Sequence, residues 1–395
     1  MLHVTIALAL SIHGAPSSEP VYETQFIFPA ESLHNHSPSI VETRDGDLLA
    51  CWFHGRGEKG DDTLVIRGAR KRRGDSEWSK PFIMADNQNL PDQNCVLFID
   101  PQDTLWLFWI SSLDNTIGTY LLKYRKSSDY AKDGAPLWNW QDVIHCRPRN
   151  LEALYAQHDA RMRRQFATQL PKETRLRSRM DAGLAASHDK LMRRLGWMTR
   201  THPLMLTPNR MMLPLYSDQF YCGLAAFTED GGLTWSFSEP IFALCIQPSF
   251  VRKENGDIVA FMRERSPLRR IQRSVSSDGG MTWSSAEPMN IPNPGSSVEC
   301  IQLKNGNWLM ACNDKSGGPR KGRTRLSVYL SDDEGATWKW QRIVEDHDGG
   351  TAASYPSLIQ SSDGTVHLAF TFSPTPHETI KHVRLNEAWI RAARE

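Results

Sequence analysis

Apolar runs alternate with short polar turns along most of the chain. An apolar run, a tight turn and a second apolar run recur from Pro38, Asn94, Pro203, Pro248, Val298 and Pro356. In four of these six copies the turn contains Asp-Gly or Asn-Gly, which favours the positive φ angles of a two-residue hairpin. This pattern predicts a protein built mainly from short antiparallel strands.

A second motif, Ser/Thr-x-Asp-x-Gly-x-x-Trp, recurs between the hairpins. It spans Thr228–Trp235, Ser276–Trp283 and Ser331–Trp338, so its tryptophans are 48 and 55 residues apart. The Asp can accept hydrogen bonds from its own turn, the Gly permits positive φ, and the Trp packs the turn against the sheet. We therefore assign the motif a structural role. Six four-stranded units at this spacing predict an all-β fold, a six-bladed β-propeller with antiparallel blades.

Two other parts of the chain complete this domain organisation. Gln25–Pro29 and Thr379–Leu385 are expected to close the ring of a propeller that spans residues 21–395. Residues 150–194 are rich in Ala, Leu, Met, Arg and Gln and lack strand alternation, which predicts a helical insertion between the second and third blades. The arginines of this insertion fit either a solvated helix face or a lid over an anionic substrate.

Composition narrows the classes of partner and site. The 46 basic and 45 acidic residues give a net charge of +1, so we expect no nucleic acid partner, and no apolar run suggests a membrane span. The seven cysteines include no Cys-x-x-Cys pair, and we expect neither a metal nor a cofactor. Residues 1–20 are interpreted as a signal peptide or a disordered N-terminus, which slightly favours a secreted or periplasmic location over a cytoplasmic one.

Candidate functional residues follow from the geometry of a propeller, in which inner-strand starts and second-to-third-strand loops meet at one face. The strand starts are His36, Gln93, Arg200, Gln247, Glu299 and Tyr355. The loops add Glu58, Asp61, Asp62, Arg263, Arg265, Arg320, Arg323 and Arg325. Several guanidinium groups converging with carboxylates predict a site for a substrate that carries a carboxylate.

The repeated Asp motif and the six-unit pattern resemble the sialidase (neuraminidase) superfamily of BNR-repeat propellers, over nearly the whole chain apart from the insertion. This resemblance implies a carbohydrate-active enzyme, an exo-acting glycosidase that cleaves a terminal acidic sugar from glycans. Sialidases begin with Arg-Ile-Pro, whose Arg binds the substrate carboxylate, and the matching triplet here is His36-Ser37-Pro38. The acid/base Asp of the family falls in the stretch from residue 58 to residue 62, with Asp61 as the match.

The resemblance also assigns the remaining site positions. Arg263 matches the second carboxylate-binding Arg, and Gln247, 16 residues earlier, replaces the Glu that supports the nucleophile. The third Arg corresponds to Arg325 or Arg323, and the nucleophilic Tyr corresponds to Tyr355. Because a tyrosine hydroxyl is a weak nucleophile without a nearby base, the Gln at this position shifts the expected general acid/base role towards a histidine.

Three functions follow from these assignments. The first is hydrolysis of a terminal sialic acid or uronate, and the second is β-elimination at a uronate by a His/Tyr pair. The lyase alternative rests on a looser similarity to propeller enzymes that act on uronate-containing plant or algal glycans. The third is a non-catalytic glycan-binding propeller. Expected catalytic residues are His36, Asp61 and Tyr355. Expected substrate-binding residues are Gln93, Arg200, Gln247, Arg263, Glu299 and Arg325, and the expected partner is an acidic oligosaccharide or polysaccharide.

Overall fold

The computed structural model describes residues 19–57, 61–168, 171, 174–347 and 349–392, without the side chains of residues 319 and 320. Within these ranges the strands form six antiparallel sheets arranged as the blades of a β-propeller, as the sequence predicts. Among the described helices, none is long and apolar enough to cross a membrane.

Blades 1, 2, 4 and 5 each follow chain order from the inner strand outwards. Blade 1 contains β2 (His34–Glu42), β3 (Leu48–Gly55), β4 (Val65–Lys71) and β5 (Phe82–Ala85). Blade 2 contains β6 (Asp92–Ile99), β7 (Leu105–Ser112), β8 (Tyr120–Ser127) and β9 (Trp140–Val143), with a 3-10 turn at Ile117–Thr119. Blade 4 contains β16 (Cys245–Arg252), β17 (Ile258–Glu264), β18 (Arg270–Ser276) and β19 (Glu287–Pro292). Blade 5 contains β20 (Val298–Gln302), β21 (Trp308–Asn313), β22 (Arg325–Ser331) and β23 (Trp340–Asp346), with the short helix α3 (Gly318–Gly322) before β22.

Blade 3 differs because its inner and outer strands are each divided in two. It contains β10 (Trp197–Thr199), β11 (Leu204–Thr207), β12 (Arg210–Ser217), β13 (Cys222–Thr228), β14 (Ser236–Phe237) and β15 (Ile241–Phe242). Both β10 and β11 pair with β12, and both β14 and β15 pair with β13. The chain between β10 and β11 is therefore free to leave the sheet at the channel.

Blade 6 is assembled from both ends of the described chain. It contains β24 (Thr351–Gln360), β25 (Val366–Pro374), β26 (Thr379–Leu385) and, as its outer strand, β1 (Tyr22–Phe26). Antiparallel pairing places Tyr22 opposite Leu385 and Phe26 opposite Lys381. A terminal helix, α4 (Glu387–Arg391), follows β26. The ring closes through the segment pair expected from the sequence, with the closing strand starting at Tyr22 rather than Gln25.

The Asp motif forms a self-contained turn in the structure. In the copy on blade 4, Asp278 accepts hydrogen bonds from the backbone N–H groups of Met281 and Thr282, each at 3.0 Å. The Ser276 hydroxyl accepts a bond of 2.9 Å from the Gly280 backbone N–H. Trp283 stacks on Phe250 with ring centroids 5.2 Å apart. These contacts fix the turn that joins the third strand of the blade to the fourth.

The predicted insertion contains two helices, α1 (Leu151–Gln165) and α2 (Thr174–Ser187), between β9 and β10. Its apolar side chains join the hydrophobic core of blades 2 and 3. The Tyr155 ring, for example, meets Phe220 and Phe242 edge-on, with centroids 5.6 and 5.5 Å apart. The insertion is consequently fixed to the ring by burial of apolar surface.

Candidate active site

Four inner strands carry a β-bulge where they reach the central channel. The register shifts lie between His36 and Ser39, Gln93 and Val96, Ile246 and Ser249, and Ser354 and Ser357. One residue in each bulge has a positive φ angle, namely Ser37, Asn94, Gln247 and Tyr355 at 58°, 48°, 55° and 61°. This backbone conformation costs about 1–3 kcal/mol for a residue with a side chain. Bulges redirect side chains out of the normal strand alternation, and here they surround one site.

A cavity of about 350 Å³ opens at this face of the propeller. Its volume lies within the range typical of small-ligand sites, roughly 300–1,000 Å³. Its lining includes six residues that the sequence nominated, Gln93, Gln247, Arg263, Arg265, Arg323 and Tyr355. Its polar lining also includes Asn94, Arg175, Arg179, Tyr216, Asp218 and Arg269.

Tyr355 lies at the centre of a network of guanidinium groups. The Arg263 Nη1 donates to the Tyr355 hydroxyl oxygen at 2.6 Å and to Gln247 Oε1 at 3.2 Å. The Cζ atoms of Arg200, Arg263 and Arg323 lie 5.3, 5.6 and 5.2 Å from the centroid of the Tyr355 ring. Negative charge that develops on the Tyr355 oxygen is therefore stabilised by several cations.

The Arg263 side chain is a buried cation whose charge is not balanced by a carboxylate of the described residues. Burial, and then the nearby Arg265, lower its pKa to about 10. No carboxylate of the described residues lies within ion-pairing distance of Arg263, and its hydrogen-bond acceptors are the neutral side chains of Tyr355 and Gln247. A bound anion would offset the desolvation of this guanidinium.

His36 contacts Tyr355 without lining the cavity. Their ring centroids are 4.1 Å apart, and the histidine is 8% exposed. Burial, followed by the charges of His34 and three arginines, holds the pKa of His36 well below 6.5. The imidazole is therefore neutral at neutral pH and has a lone pair available for a proton.

Arg323 and Arg325, the two matches to the third carboxylate-binding Arg of sialidases, differ in their position relative to the cavity. Arg323 lines the cavity and its Nη2 donates to the Gly295 carbonyl at 2.9 Å. Arg325, the residue nominated from the sequence, instead donates to Asp346 from Nε and Nη2 at 3.0 and 2.7 Å. Arg325 on β22 and Asp346 on β23 are cross-strand neighbours. Their ion pair holds Arg325 away from the cavity.

Two other nominated residues, Arg200 and Glu299, stabilise the inner strands and do not line the cavity. Arg200, 1% exposed, donates to the carbonyls of Pro38 and Pro356 at 3.2 and 2.8 Å. Glu299 accepts from the backbone N–H and Nδ1 of His202 and from Leu358 N–H, at 2.8 to 2.9 Å. Burial raises the pKa of Glu299. The contacts with His202 and the charge of Arg200 outweigh this effect, so the pKa is lowered overall. Sequence reasoning gave both residues substrate-binding roles, but both Nη atoms of Arg200 and both carboxylate oxygens of Glu299 are hydrogen-bonded within the protein.

Asp61, nominated as the acid/base, also lies outside the cavity lining. It accepts hydrogen bonds from Arg56 N–H at 3.0 Å and from the N–H and hydroxyl of Thr63 at 3.0 and 2.6 Å. Chiefly the Thr63 hydroxyl, and also these backbone bonds, lower the pKa of Asp61. Asp61 is thus an ionised turn residue in this structure. Glu58, from the same loop, lies outside the described residues.

Asp218 is the cavity carboxylate that sequence reasoning missed. It lies in the turn between β12 and β13 and pairs with Arg265 Nη2 at 3.0 Å. The other lining carboxylate, Glu264, accepts bonds from Arg265 and Ser266 N–H and from Gln272, all within its own hairpin. The second-to-third-strand rule that nominated Arg263, applied to the third repeat, would have found Asp218.

The described residues hold no group of three or more His, Cys, Asp or Glu side chains that could bind a metal ion. All seven cysteines are buried thiols. The groups that converge on the cavity are therefore guanidinium, phenol, amide and carboxylate side chains, which can bind and polarise an anionic organic substrate.

A family model described as a BNR repeat-like domain matches residues 46–154 and 187–368. The chain belongs to the BNR repeat-like family. The gap in this match coincides with most of α1 and α2, so the helical insertion is additional to the BNR repeat pattern. No curated protein sequence matches the chain.

Solved structures share the fold of this BNR repeat-like protein at low sequence identity. A protein of unknown function from Dyadobacter fermentans has a TM-score of 0.68 and 16% identity, over 92% of this chain and 98% of that one. A leech intramolecular trans-sialidase has a TM-score of 0.64 and 14% identity, over 90% of this chain and 68% of that one. The intramolecular trans-sialidase of Ruminococcus gnavus has a TM-score of 0.64 and 12% identity, over 91% of this chain and 96% of that one. These similarities establish a sialidase-like propeller fold.

Proposed function

We propose that this protein is an exo-acting glycosidase that removes a terminal acidic sugar, a sialic acid or a uronate, from a glycan. The observation that carries this proposal is the Tyr355 hydroxyl, held at 2.6 Å by the buried Arg263 in a cavity that Arg323 also lines. A glycan-binding module needs a complementary surface, but it has no need for a tyrosine oxygen surrounded by cations.

In the proposed complex, Arg263 and Arg323 bind the sugar carboxylate. Both guanidinium groups line the cavity beside Tyr355, and charge-assisted bonds to a carboxylate satisfy their remaining donors. Gln247 accepts from Arg263 and donates to the Tyr216 hydroxyl at 3.2 Å, so it fixes the position of the first guanidinium. The carboxylate then places the neighbouring anomeric carbon close to the tyrosine oxygen.

Bond cleavage would proceed as a double displacement. The Tyr355 oxygen attacks the anomeric carbon, its proton passes to the neutral His36, and the glycosidic C–O bond breaks. Asp218, the lining carboxylate in the β12–β13 turn, is assigned to give a proton to the leaving oxygen. Water then displaces the tyrosine oxygen from the anomeric carbon, Asp218 takes a proton from that water, and His36 returns its proton to Tyr355.

The contact between His36 and Tyr355 also supports a second candidate, a uronate lyase. Neutral His36 would remove the proton at C5, the C4–O bond would break as a C4–C5 double bond forms, and Tyr355 would give its proton to the leaving oxygen. Arg263 and Arg323 would neutralise the carboxylate and so acidify the C5 proton. The 4.1 Å separation of the two rings is the observation that favours this alternative.

The test is incubation of the whole protein with 3′-sialyllactose and with oligosaccharides that end in glucuronate or galacturonate. Chromatography of released monosaccharide detects hydrolysis, and ultraviolet absorbance of an unsaturated uronate detects elimination. Tyr355→Phe should reduce either activity by about 10²-fold or more. Tyr329→Phe is the matched control, because Tyr329 donates to Asp314 within blade 5 and is absent from the cavity lining.

The same assay distinguishes the two mechanisms and the non-catalytic alternative. His36→Gln should lower hydrolysis less than it lowers elimination, because the imidazole removes the reacting carbon-bound proton only in the lyase. Retention of full activity by both Tyr355→Phe and His36→Gln would overturn the assigned roles. Binding of the oligosaccharides without any product would support the glycan-binding propeller instead.

A further inference from the structure

Three arginines on the outer wall of the cavity are not used by the proposed reaction. Arg175 and Arg179 belong to α2, where a spacing of four residues places both on one helix face. Arg269 comes from the loop between β17 and β18, on the wall formed by blade 4. All three line the cavity, with Arg175 exposed and Arg179 half-buried.

The carboxylates of the cavity leave these arginines uncompensated. Asp218 is paired with Arg265, and Glu264 accepts bonds from its own hairpin. Within the part of the chain that the structure describes, no carboxylate lies within ion-pairing distance of Arg175, Arg179 or Arg269. Several cations concentrated in one partly enclosed cavity attract anions.

The cavity cations divide into two groups around two tyrosines. Arg263 and Arg323 lie over Tyr355, as described above. Arg179 and Arg265 both lie 5.7 Å from the centroid of the Tyr221 ring. The arginines beside Tyr221 therefore form a group distinct from those that lie over Tyr355.

We propose that Arg175, Arg179 and Arg269 form a second anion subsite, which binds an acidic group on the sugar next to the terminal one. The substrate is then a glycan with negative charges on neighbouring sugars. A carboxylate and a sulfate ester both present at least two anionic oxygens to a guanidinium group, so both are candidates for this subsite. The inference rests on the proposed function, because the subsite beside Tyr355 holds the terminal sugar.

The subsite is carried by a helix that is fixed to the propeller. Leu176 and Met180, on α2, are buried in the core shared with blades 2 and 3. Gly183 allows α2 to approach closely, because a Cβ at this position would lie 2.2 Å from the Tyr155 hydroxyl and 2.9 Å from the Gln219 carbonyl. The helix therefore lies directly against the turn that carries Asp218, and its arginines have a defined position relative to the cavity.

The experiment is calorimetric binding at low and high salt, in a Tyr355→Phe parent that prevents turnover. The probes are sialic acid and its α2,8-linked dimer, galacturonic acid and its dimer, and 3′-sialyllactose with and without a sulfate on galactose. The parent should bind each doubly charged probe about tenfold or more tightly than its singly charged partner. Preference for the dimers or for the sulfated probe shows which anionic group the subsite takes.

Substitution of both helix arginines should remove this preference. Arg175→Ser with Arg179→Ser should bind singly and doubly charged probes alike, whereas Arg177→Ser should behave as the parent. Arg177 is the matched control because it is exposed on the same helix and does not line the cavity. If the double variant melts below the assay temperature, the single variants Arg175→Gln and Arg179→Gln replace it, each with a partial loss expected.

The outcomes separate this inference from the proposed function. Equal binding of singly and doubly charged probes by the parent, or an equal effect of Arg177→Ser, would overturn the second subsite while leaving the glycosidase intact. Preference for doubly charged probes in a protein that releases no sugar from any substrate would retain the subsite and overturn the glycosidase.

Discussion

The Arg263 guanidinium is buried and has no carboxylate partner among the described residues. It is buried, which lowers its pKa to about 10, and it donates hydrogen bonds to the neutral side chains of Tyr355 and Gln247. A guanidinium in this state gains more from an anionic ligand than an exposed one does, because its desolvation has already occurred on folding.

Arg263→Gln should therefore lower kcat/KM for an acidic substrate by about 10²-fold, which corresponds to about 3 kcal/mol for one lost charge-assisted contact. The measurement is initial rate on paired substrates with a free and a reduced carboxyl group. The substrate with the reduced carboxyl group should have the same low kcat/KM with the wild type and with the variant. A variant that hydrolyses the acidic substrate at the wild-type rate would contradict carboxylate binding by Arg263.

Glu299 illustrates a charged residue whose contribution is to stability. Its carboxylate accepts three hydrogen bonds, two from His202 and one from Leu358, across strands that are distant in sequence. Glu299→Gln should destabilise the protein by about 3 kcal/mol, because one amide donor would face the donors of His202. Denaturant unfolding measures this loss. KM of the folded variant should be unchanged, and a large rise in KM would instead support the substrate-binding role expected from the sequence.

At the scale of elements, the sequence predicts the repeated parts better than the unique ones. Hairpins and Asp motifs depend on local turn chemistry, so Asp-Gly pairs and the Asp278 motif indicate strands and turns directly. Tyr355, Arg263, Gln247 and Gln93 were found because inner-strand starts and returning loops meet at one face of any propeller. The fold itself follows from the same regularity.

Contacts between distant residues explain what the sequence could not predict. Arg200 and Glu299 occupy inner-strand starts, but the Nη atoms of Arg200 and the carboxylate of Glu299 form hydrogen bonds to residues 59 to 162 positions away. Arg323 and Arg325 are two residues apart, and only the cross-strand Asp346 decides which one reaches the cavity. The position of α2 depends on apolar packing against blades 2 and 3, which no local pattern specifies.

The docking of α2 is predicted to depend on Gly183. Gly183→Ala places a methyl group against the Tyr155 hydroxyl and the Gln219 carbonyl, so the helix must move away from the β12–β13 turn. We expect a loss of about 1–3 kcal/mol, typical of overpacking, despite the higher helix propensity of Ala. Thermal unfolding gives the comparison, with Ala185→Ser on the exposed face as control. A Tm equal to or above that of the wild type would show that α2 is not closely packed at this point.

For the whole molecule, stability is expected to fall in mild acid because buried histidines must take up protons. In blade 6, His367 Nδ1 and His382 Nε2 lie 2.9 Å apart, and the His382 ring meets Trp78 of blade 1 at 5.4 Å. Burial lowers the pKa of His367 to about 4 and holds that of His382 well below 6.5. Protonation therefore favours the unfolded chain, so their stabilisation is complete above pH 6.5 and declines as the pH falls towards about 4.

This dependence can be measured as Tm between pH 7 and pH 4.5. Each histidine proton that the unfolded chain binds and the folded protein does not bind changes the free energy of unfolding by about 1.4 kcal/mol per pH unit. His367→Gln should flatten the profile, even if its Tm at pH 7 is lower, whereas exposed His377→Gln should leave the slope unchanged. Equal slopes for the wild type and His367→Gln would exclude the blade 6 pair as a source of acid sensitivity.

Ring closure through β1 and β26 has a mechanical consequence. Tyr22 lies opposite Leu385, so the outward ends of the two closing strands are at the same end of their hydrogen-bonded ladder. A pull in opposite directions at residues 21 and 386 would load the rungs one after another, as in opening a zipper, rather than together in shear. The first barrier consists of the bonds of Asn386 to the Val21 N–H and the Glu19 carbonyl, at 3.0 and 2.8 Å. Under tension, this propeller should therefore open at its seam while the other five blades stay folded.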